Sequence, residues 1–241
     1  MASGFWQAIS VGIGVSFAAL APASTTDGDQ DPARNGPGGP ALAFFAVEAA
    51  DVDSFLTRIR PVALSSTLKA QVMASLPSEG ELRPSAKDLR KLSSVELILR
   101  FHQRQEAIAI KLIDVKHAFV GLHARTVLLI SRDALDLMRP EEVQALAAHE
   151  IGHDYFWDEY SRAMADHDER RMQELELRCD GIAVLTLQQL GLDPESLVRA
   201  ASNLTHYNER LGAVGSADSY VSLSDRVKFI RAVARLLGES K

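Results

Sequence analysis

The chain has 241 residues, which allows one domain with short appendages, and 46% of them are hydrophobic, which is enough for a sizeable core. A net charge of −6 at pH 7, without a dense cluster of lysine and arginine, argues against a nucleic-acid partner. The one cysteine excludes an internal disulfide and a zinc site built from four cysteines.

The N-terminal segment has the composition of an export signal. Residues 1–26 carry no charged side chain, and the apolar run 5–20 precedes an A-x-A-like cleavage site, Ala21-Pro22-Ala23. This pattern predicts that residues 1–23 are a signal peptide; an uncleaved membrane anchor or a hydrophobic tail are the alternatives. Residues 24–40, rich in Gly, Pro and Asp, are predicted to be a flexible linker. We therefore expect a periplasmic or membrane-associated protein, although no basic residue precedes the apolar run.

The remaining chain, residues 41–241, is predicted to be a single domain with a helical front part, residues 41–105, and a core, residues 106–241. Prolines are expected to end the helices of the front part because they cannot continue a helix. The predicted helices and their proline stops are 41–60, Pro61, 62–76, Pro77 and 84–100. No catalytic chemistry is evident in this front part, and we expect it to pack on the core.

The core is predicted to begin with strands and to continue with helices. Residues 106–130 are rich in β-branched and apolar residues, and the short apolar run 127–130 is typical of a buried strand. Four helices are predicted in this part. The first begins at Arg139-Pro140 and ends near Phe156, the second covers 170–190, the third begins at Asp193, and the fourth covers 222–237. Strands followed by helices predict an α+β fold, mostly helical, with a small β-sheet.

The clearest chemistry lies in the run His149-Glu150-Ile151-Gly152-His153. Histidines one helical turn apart project from nearly the same face, so both imidazoles can bind one Zn²⁺ while Glu150 acts as a general base. Small residues around the pair, such as Ala148 and Gly152, indicate a buried helix, and buried histidines need partners that a metal supplies. Two surface histidines on a solvated helix are the alternative.

A catalytic zinc needs a third protein ligand and an open fourth position. Glu176 and Asp180 lie one turn apart on the predicted helix 170–190. We predict that Glu176 binds the metal and that Asp180, in the second shell of the site, accepts the other ring N–H of a ligand histidine. Glu174 is the alternative ligand. A solvated acidic face, in which Glu174 pairs with Arg178, is the competing interpretation.

These motifs resemble those of a known family. The run His149-Glu150-x-x-His153 followed by Glu176-x-x-x-Asp180 resembles the gluzincin metallopeptidases, and within them the HtpX and CaaX-prenyl-protease class with its Oma-like soluble domains. Residues 116–121 and 126–131 are similar to that family's edge strand and the next strand, and the resemblance covers residues 106–230, about half of the chain. It implies a zincin-type fold, an HExxH active-site helix and one Zn²⁺ per chain.

The chain departs from the family pattern at two places. Cys179 stands where the family usually has alanine, either as a small packing residue or as a thiol close to the zinc. Tyr220 and Val221 stand where the family's late segment often has His-Pro before its arginine, here Arg226. Tyr220, His206 and Arg226 are therefore all candidates for the group that stabilises the oxyanion, although each can also have a purely structural role.

The sequence predicts a zinc-dependent endopeptidase in which Glu150 takes a proton from the attacking water and passes it to the leaving amine. An extended polypeptide substrate is expected to pair with the strand near 118–121, which suits unfolded or misfolded proteins of the cell envelope. One alternative is a zinc-stabilised, chaperone-like binding domain with little or no turnover. Another is a regulatory HExxH peptidase that cleaves one specific protein, which the absence of a DNA-reading segment disfavours.

Overall fold

The structure is a computed structural model that describes residues 38–46, 51–212 and 221–238. The predicted signal peptide or anchor, residues 1–23, lies outside the described residues, as does most of the predicted linker. The last residues of that linker are helical, because the first helix begins at Gly38. Pro40 is compatible with this start, since proline is tolerated in the first turn of a helix.

The described elements follow the predicted order of helices, strands and helices. In chain order they are α1 (Gly38–Ala46), α2 (Val52–Ile59), α3 (Ser66–Ser75), β1 (Glu81–Leu82), α4 (Ala86–Phe101), β2 (Ala109–Ile113), β3 (Val120–His123), β4 (Val127–Ser131), α5 (Arg132–Leu137), α6 (Pro140–Tyr155), α7 (Trp157–Ala165), α8 (Glu169–Gln189), α9 (Glu195–Arg210) and α10 (Leu223–Gly238). This confirms a mostly helical chain with a small sheet. Within the described ranges, no helix combines the length and apolar composition needed to cross a bilayer.

Three predicted helix boundaries are wrong because local side-chain hydrogen bonds set the starts. The predicted helix 41–60 is two helices, and Asp51 begins the second by accepting the backbone N–H of Ser54 at 3.1 Å. The predicted helix 62–76 begins only after Ser65, whose hydroxyl caps the next turn. Helix α9 begins at Glu195 rather than at Asp193, because the Asp193 carboxylate accepts the Glu195 N–H in a turn before the helix.

The four-stranded sheet has the order β1-β2-β4-β3, with β2 and β4 parallel and both outer pairs antiparallel. Strand β4 is interior, and its alternate residues enter two different apolar clusters. Leu128 and Ile130 join the main core, while Val127 and Leu129 join a smaller cluster on the other face. This burial on both faces explains the continuous apolar run in the sequence. Strand β3 forms one edge of the described sheet.

Helix α6 lies in the interior of the molecule, packed against α4, α8 and α9. Its residues from Glu142 to Asp154 are all buried, as the small residues in the sequence predict. Helix α6 approaches α8 closely at Gly152, where an added Cβ would lie 2.7 Å from the Cα of Cys179. Glycine at this position lets the two helix backbones come together. Cys179 is fully buried at this contact.

Candidate metal centre

The beginning of α6 is determined by residues that the sequence analysis identified. Pro140 is its first residue, and the backbone N–H of Arg139 donates to the Glu142 carboxylate at 2.9 Å. The helix continues without interruption to Tyr155 and carries His149, Glu150 and His153 near its C-terminal end.

Helix α8 brings Glu176 to both histidines. Its carboxylate oxygens lie 3.6 Å from the Nε2 of His149 and 3.7 Å from the Nε2 of His153. The three candidate ligand atoms all lie within 4.8 Å of one another, and all three side chains are buried. Tetrahedral ligands at usual zinc distances are about 3.4 Å apart, so this spacing is suitable for one zinc ion.

The chemistry of the donor set also fits zinc. Burial lowers the pKa of the His153 imidazole well below its usual value, and the neighbouring His149 acts in the same direction. Neutral imidazole is the form that binds a metal. Among the described residues, neither the Nε2 of His153 nor the Oε1 of Glu150 has a hydrogen-bond partner. Buried polar atoms are rarely left in this state, and a metal with its water would satisfy them.

His149 is oriented by a buried carboxylate. The Asp180 Oδ1 lies 2.8 Å from the His149 Nδ1, on the opposite side of the ring from Glu176. Arg226 donates to both Asp180 oxygens, at 2.5 and 2.8 Å. Burial raises the pKa of Asp180, but Arg226 outweighs that effect and the pKa is about 2. The ionised carboxylate therefore accepts the Nδ1–H of His149 and directs its Nε2 towards Glu176.

Glu150 lies between the ligand pair and the edge strand. Its Oε2 accepts the backbone N–H of Leu122, in β3, at 3.0 Å. Burial raises the pKa of Glu150 well above its usual value, and the nearby carboxyl of Glu176 acts in the same direction. One carboxylate oxygen of Glu150 is held by Leu122 and the other has no partner among the described residues, which places that oxygen to accept a proton as a general base.

Two of the remaining candidates, Glu174 and His206, do not belong to this cluster of ligand atoms. Glu174 pairs with Arg171 at 2.7 Å and with Arg178 at 2.8 Å, so the ion-pair interpretation of this residue fits and the alternative ligand role does not. His206 is exposed on α9. Tyr220 lies outside the described residues.

Arg226 is brought to the centre, but on the side of His149 that faces Asp180. Its guanidinium lies 3.4 Å from the Nδ1 of His149, whereas the candidate ligand atom is Nε2. Arg226 is one of the three candidates for the group that stabilises the oxyanion, and this position favours an indirect role through Asp180. A guanidinium bound in this way orients a ligand through Asp180 instead of contacting a substrate carbonyl.

Two features of the site have no clear signal in the sequence. Asp154, the residue after His153, is buried between Arg104 at 2.7 Å and Arg125 at 2.6 Å, which anchors the C-terminal end of α6. Tyr160 lies on α7, with its ring centroid 5.4 Å from that of His153. Both depend on contacts between elements that residue spacing within one helix does not reveal.

The chain is similar to a known peptidase family over part of its length. The family model described as Peptidase family M48 matches residues 91–173, a stretch that includes all of α6 and ends before Glu176. No curated protein and no solved structure matches the chain. The match supports an M48 metallopeptidase family, whose members are typically zinc-dependent, and the cluster of His149, His153 and Glu176 is one that could hold such a metal.

Proposed function

We propose that this protein is a zinc-dependent endopeptidase. The observation that carries the proposal is the convergence of His149, His153 and Glu176 in a buried cluster, with the Glu150 carboxyl beside it. A purely structural zinc site has no need of such a base. The match to Peptidase family M48 supports the same reaction class.

In this proposal His149, His153 and Glu176 hold the zinc ion. Zinc in this site would supply Lewis-acid polarisation of the scissile carbonyl and of the attacking water. Glu150 receives the water's proton at Oε1 while Leu122 holds Oε2 by its backbone N–H. Glu150 then passes the proton to the leaving amine, which avoids expulsion of an unprotonated amide nitrogen.

The edge strand β3 suits an extended polypeptide substrate. It pairs with β4 on one side only within the described sheet, and it lies beside Glu150 through the Leu122 contact. Main-chain pairing with such an edge gives affinity with little sequence selectivity. Unfolded or misfolded proteins are the substrates that fit this mode of binding, since they expose extended backbone.

The test compares the purified protein with Glu150→Gln in metal content and in hydrolysis of casein. We expect one zinc per chain in both proteins, and a loss of about 10²–10⁴-fold in turnover for the variant, because it removes only the base. Glu174→Gln is the matched control, since Glu174 lies in a separate ion-pair network. Activity of Glu150→Gln within a few-fold of wild type would exclude this role. Stoichiometric zinc without any proteolysis in the wild type would favour a chaperone-like binding domain.

We also propose that the catalytic body acts in the cell envelope. The support is the uncharged apolar segment 1–23 and the Gly/Pro-rich residues that follow it. N-terminal sequencing of the protein from fractionated cells tests this proposal. A start near Ser24 in the periplasmic fraction supports cleavage, and an intact Met1 in the membrane fraction supports an anchor. An intact N-terminus on cytosolic protein contradicts export.

A further inference from the structure

The outer edge of strand β3 is the side that faces away from β4. In an antiparallel pair, successive residues turn their backbone N–H and C=O groups alternately towards the partner strand and away from it. Phe119 faces β4, because its C=O accepts the backbone N–H of Ser131 at 2.8 Å. The backbone groups of Ala118, Val120 and Leu122 therefore face the outer edge, where a substrate strand would pair.

Helix α9 occupies this edge at Ala118 with the side chain of Asn208. The Oδ1 of Asn208 accepts the Ala118 N–H at 2.8 Å, and its Nδ2 donates to the Ala118 C=O at 2.9 Å. Asn208 is 1% exposed, so these bonds are shielded from water. One carboxamide thus makes both of the bonds that a neighbouring strand would make with this residue. A peptide cannot pair with Ala118 while the amide is in place.

The other end of the edge lies at the candidate metal centre. The Leu122 N–H donates to the Glu150 carboxylate at 3.0 Å, so a scissile bond that reaches Glu150 lies beside Leu122. Val120 lies between Leu122 and Ala118. Within the described part of the chain, side chains bond the backbone of these two residues but not that of Val120. On the Ala118 side of Leu122, the edge therefore offers a substrate the N–H and C=O of at most one residue, and that residue is itself only 1% exposed.

We propose that Asn208 is a specificity-determining residue that limits the pairing of a substrate with β3 to Val120. The inference rests on the proposed function, because it concerns the substrate of that same site. A main-chain hydrogen bond contributes a net factor of about 2–10 in affinity, and substrate residues beyond the one opposite Val120 gain no such bond from the edge strand. A short extended segment is then sufficient on this side of the scissile bond, so exposed loops as well as unfolded chains fit the site.

The experiment uses synthetic peptides that contain one casein site cleaved by the wild type and that are lengthened by one residue at a time at either end. Val120 lies two residues from Leu122, so on one side kcat/KM should stop rising within about three residues of the scissile bond. N-methylation of single peptide bonds in the longest peptide tests the same limit without any variant. On that side, beyond the residues that flank the scissile bond, at most one N-methyl group should lower kcat/KM, by about 2–10-fold.

Asn208→Ala removes the amide and makes both backbone groups of Ala118 available to the substrate. We expect two further residues on the same side to raise the kcat/KM of this variant by about 2–10-fold, with unchanged zinc content. Ser131→Ala is the matched control, because it also loses a buried hydrogen bond, from the Phe119 N–H at 2.8 Å, but on the β4 side. This control should be less stable and keep the wild-type dependence on peptide length. Circular dichroism confirms that each variant is folded.

Three results would overturn the inference. They are a wild-type kcat/KM that keeps rising with peptide length on both sides, two or more sensitive N-methyl positions on the limited side, and a folded Asn208→Ala protein with the wild-type length dependence. In each case the wild type still hydrolyses casein, so the proposed function stands. If Asn208→Ala does not fold, the two wild-type measurements decide. If the wild type does not hydrolyse casein, the proposed function and the inference are both wrong.

Discussion

At the scale of single residues, the candidate metal centre contains one buried carboxylate, that of Asp180, which contacts two partners. Asp180 accepts from His149 with Oδ1 and from Arg226 with both oxygens. Its pKa of about 2 means that it stays ionised in the interior. Without it, His149 loses the acceptor for Nδ1–H and Arg226 becomes a buried charge that has lost its main counter-ion.

We predict that Asp180→Ala lowers zinc affinity by about 10–100-fold without abolishing it, because the three ligands remain but one is no longer oriented. Isothermal titration or chelator competition measures the change. Glu174→Ala, on the same helix but in a separate ion-pair network, should leave zinc affinity unaltered. If Asp180→Ala and wild type bind zinc with equal affinity, Asp180 does not orient a metal ligand and is only a structural partner of Arg226.

At the scale of elements, the distance between α6 and α8 sets the spacing of the ligands. His149 and His153 lie on one helix and Glu176 on the other, and the two backbones approach each other closely at Gly152. A methyl group there would lie 2.7 Å from the Cα of Cys179 and 3.1 Å from its carbonyl oxygen. Backbone atoms cannot move aside as a flexible side chain can, so the helices would have to separate.

We predict that Gly152→Ala destabilises the protein by about 1–3 kcal/mol and weakens zinc binding. In a solvated helix the same change would stabilise by about 1 kcal/mol, so the sign of the effect reports the close packing. Gly191→Ala is the control: it strains a backbone with φ +68° but meets no neighbour within 4 Å, and zinc affinity should not change. A more stable Gly152→Ala protein in urea unfolding would contradict this account of the helix contact.

A second contact between elements involves His102, which follows α4 and joins α6 to α8. The Thr186 hydroxyl donates to the Ile182 carbonyl, so it accepts the Nε2–H of His102, and the Nδ1 then accepts the Tyr155 hydroxyl. Burial lowers the pKa of His102 to about 3, with the charge of Arg60 acting in the same direction. The ring is therefore held neutral by its surroundings.

We predict that His102 makes the protein acid-labile below the usual histidine pKa of about 6.5. In the unfolded chain His102 becomes protonated near its usual pKa, whereas in the folded chain it stays neutral down to about pH 3. The free energy of unfolding therefore falls as the pH falls from about 6.5 towards 3. His102→Gln should have a lower free energy of unfolding than wild type at pH 7. The difference between the two proteins in this free energy should become smaller by about 1–2 kcal/mol from pH 7 to pH 5, because only the wild type loses the stability due to His102. Urea unfolding of both proteins at pH 7 and at pH 5 measures these free energies. The same difference between variant and wild type at the two pH values would contradict the prediction.

At the scale of the whole molecule, the side chains of the candidate metal centre come from the core helices α6 and α8. A ligand that binds only the folded state stabilises it by about 2.7 kcal/mol at a hundredfold excess over its dissociation constant. We therefore predict that a chelator lowers the melting temperature by roughly 5–10 °C. His153→Ala, which lacks a ligand, should not respond to the chelator. An unchanged melting temperature of the zinc-loaded wild type would show that metal binding and folding are not coupled.

Much of the fold follows from local patterns. The start of α6 is predicted by Arg139-Pro140, and the strand 127–130 by its apolar run. The boundaries of α2, α3 and α9 were missed because single side chains, such as Asp51 and Ser65, set them by hydrogen bonds to the backbone. The order of the strands in the sheet depends on long-range pairing, for which the sequence contains no local signal.

Some features of the candidate site also follow from local sequence patterns, and others depend on the tertiary structure. The sequence by itself determined that His149, Glu150 and His153 share a helix, because spacing along one helix fixes the face on which a side chain lies. Only the tertiary structure decided that Glu176 rather than Glu174 meets the histidines, that Arg226 lies behind Asp180, and that Tyr160 joins the cluster. Those contacts depend on how separate helices cross and rotate against each other, and the packing of the whole core sets that geometry.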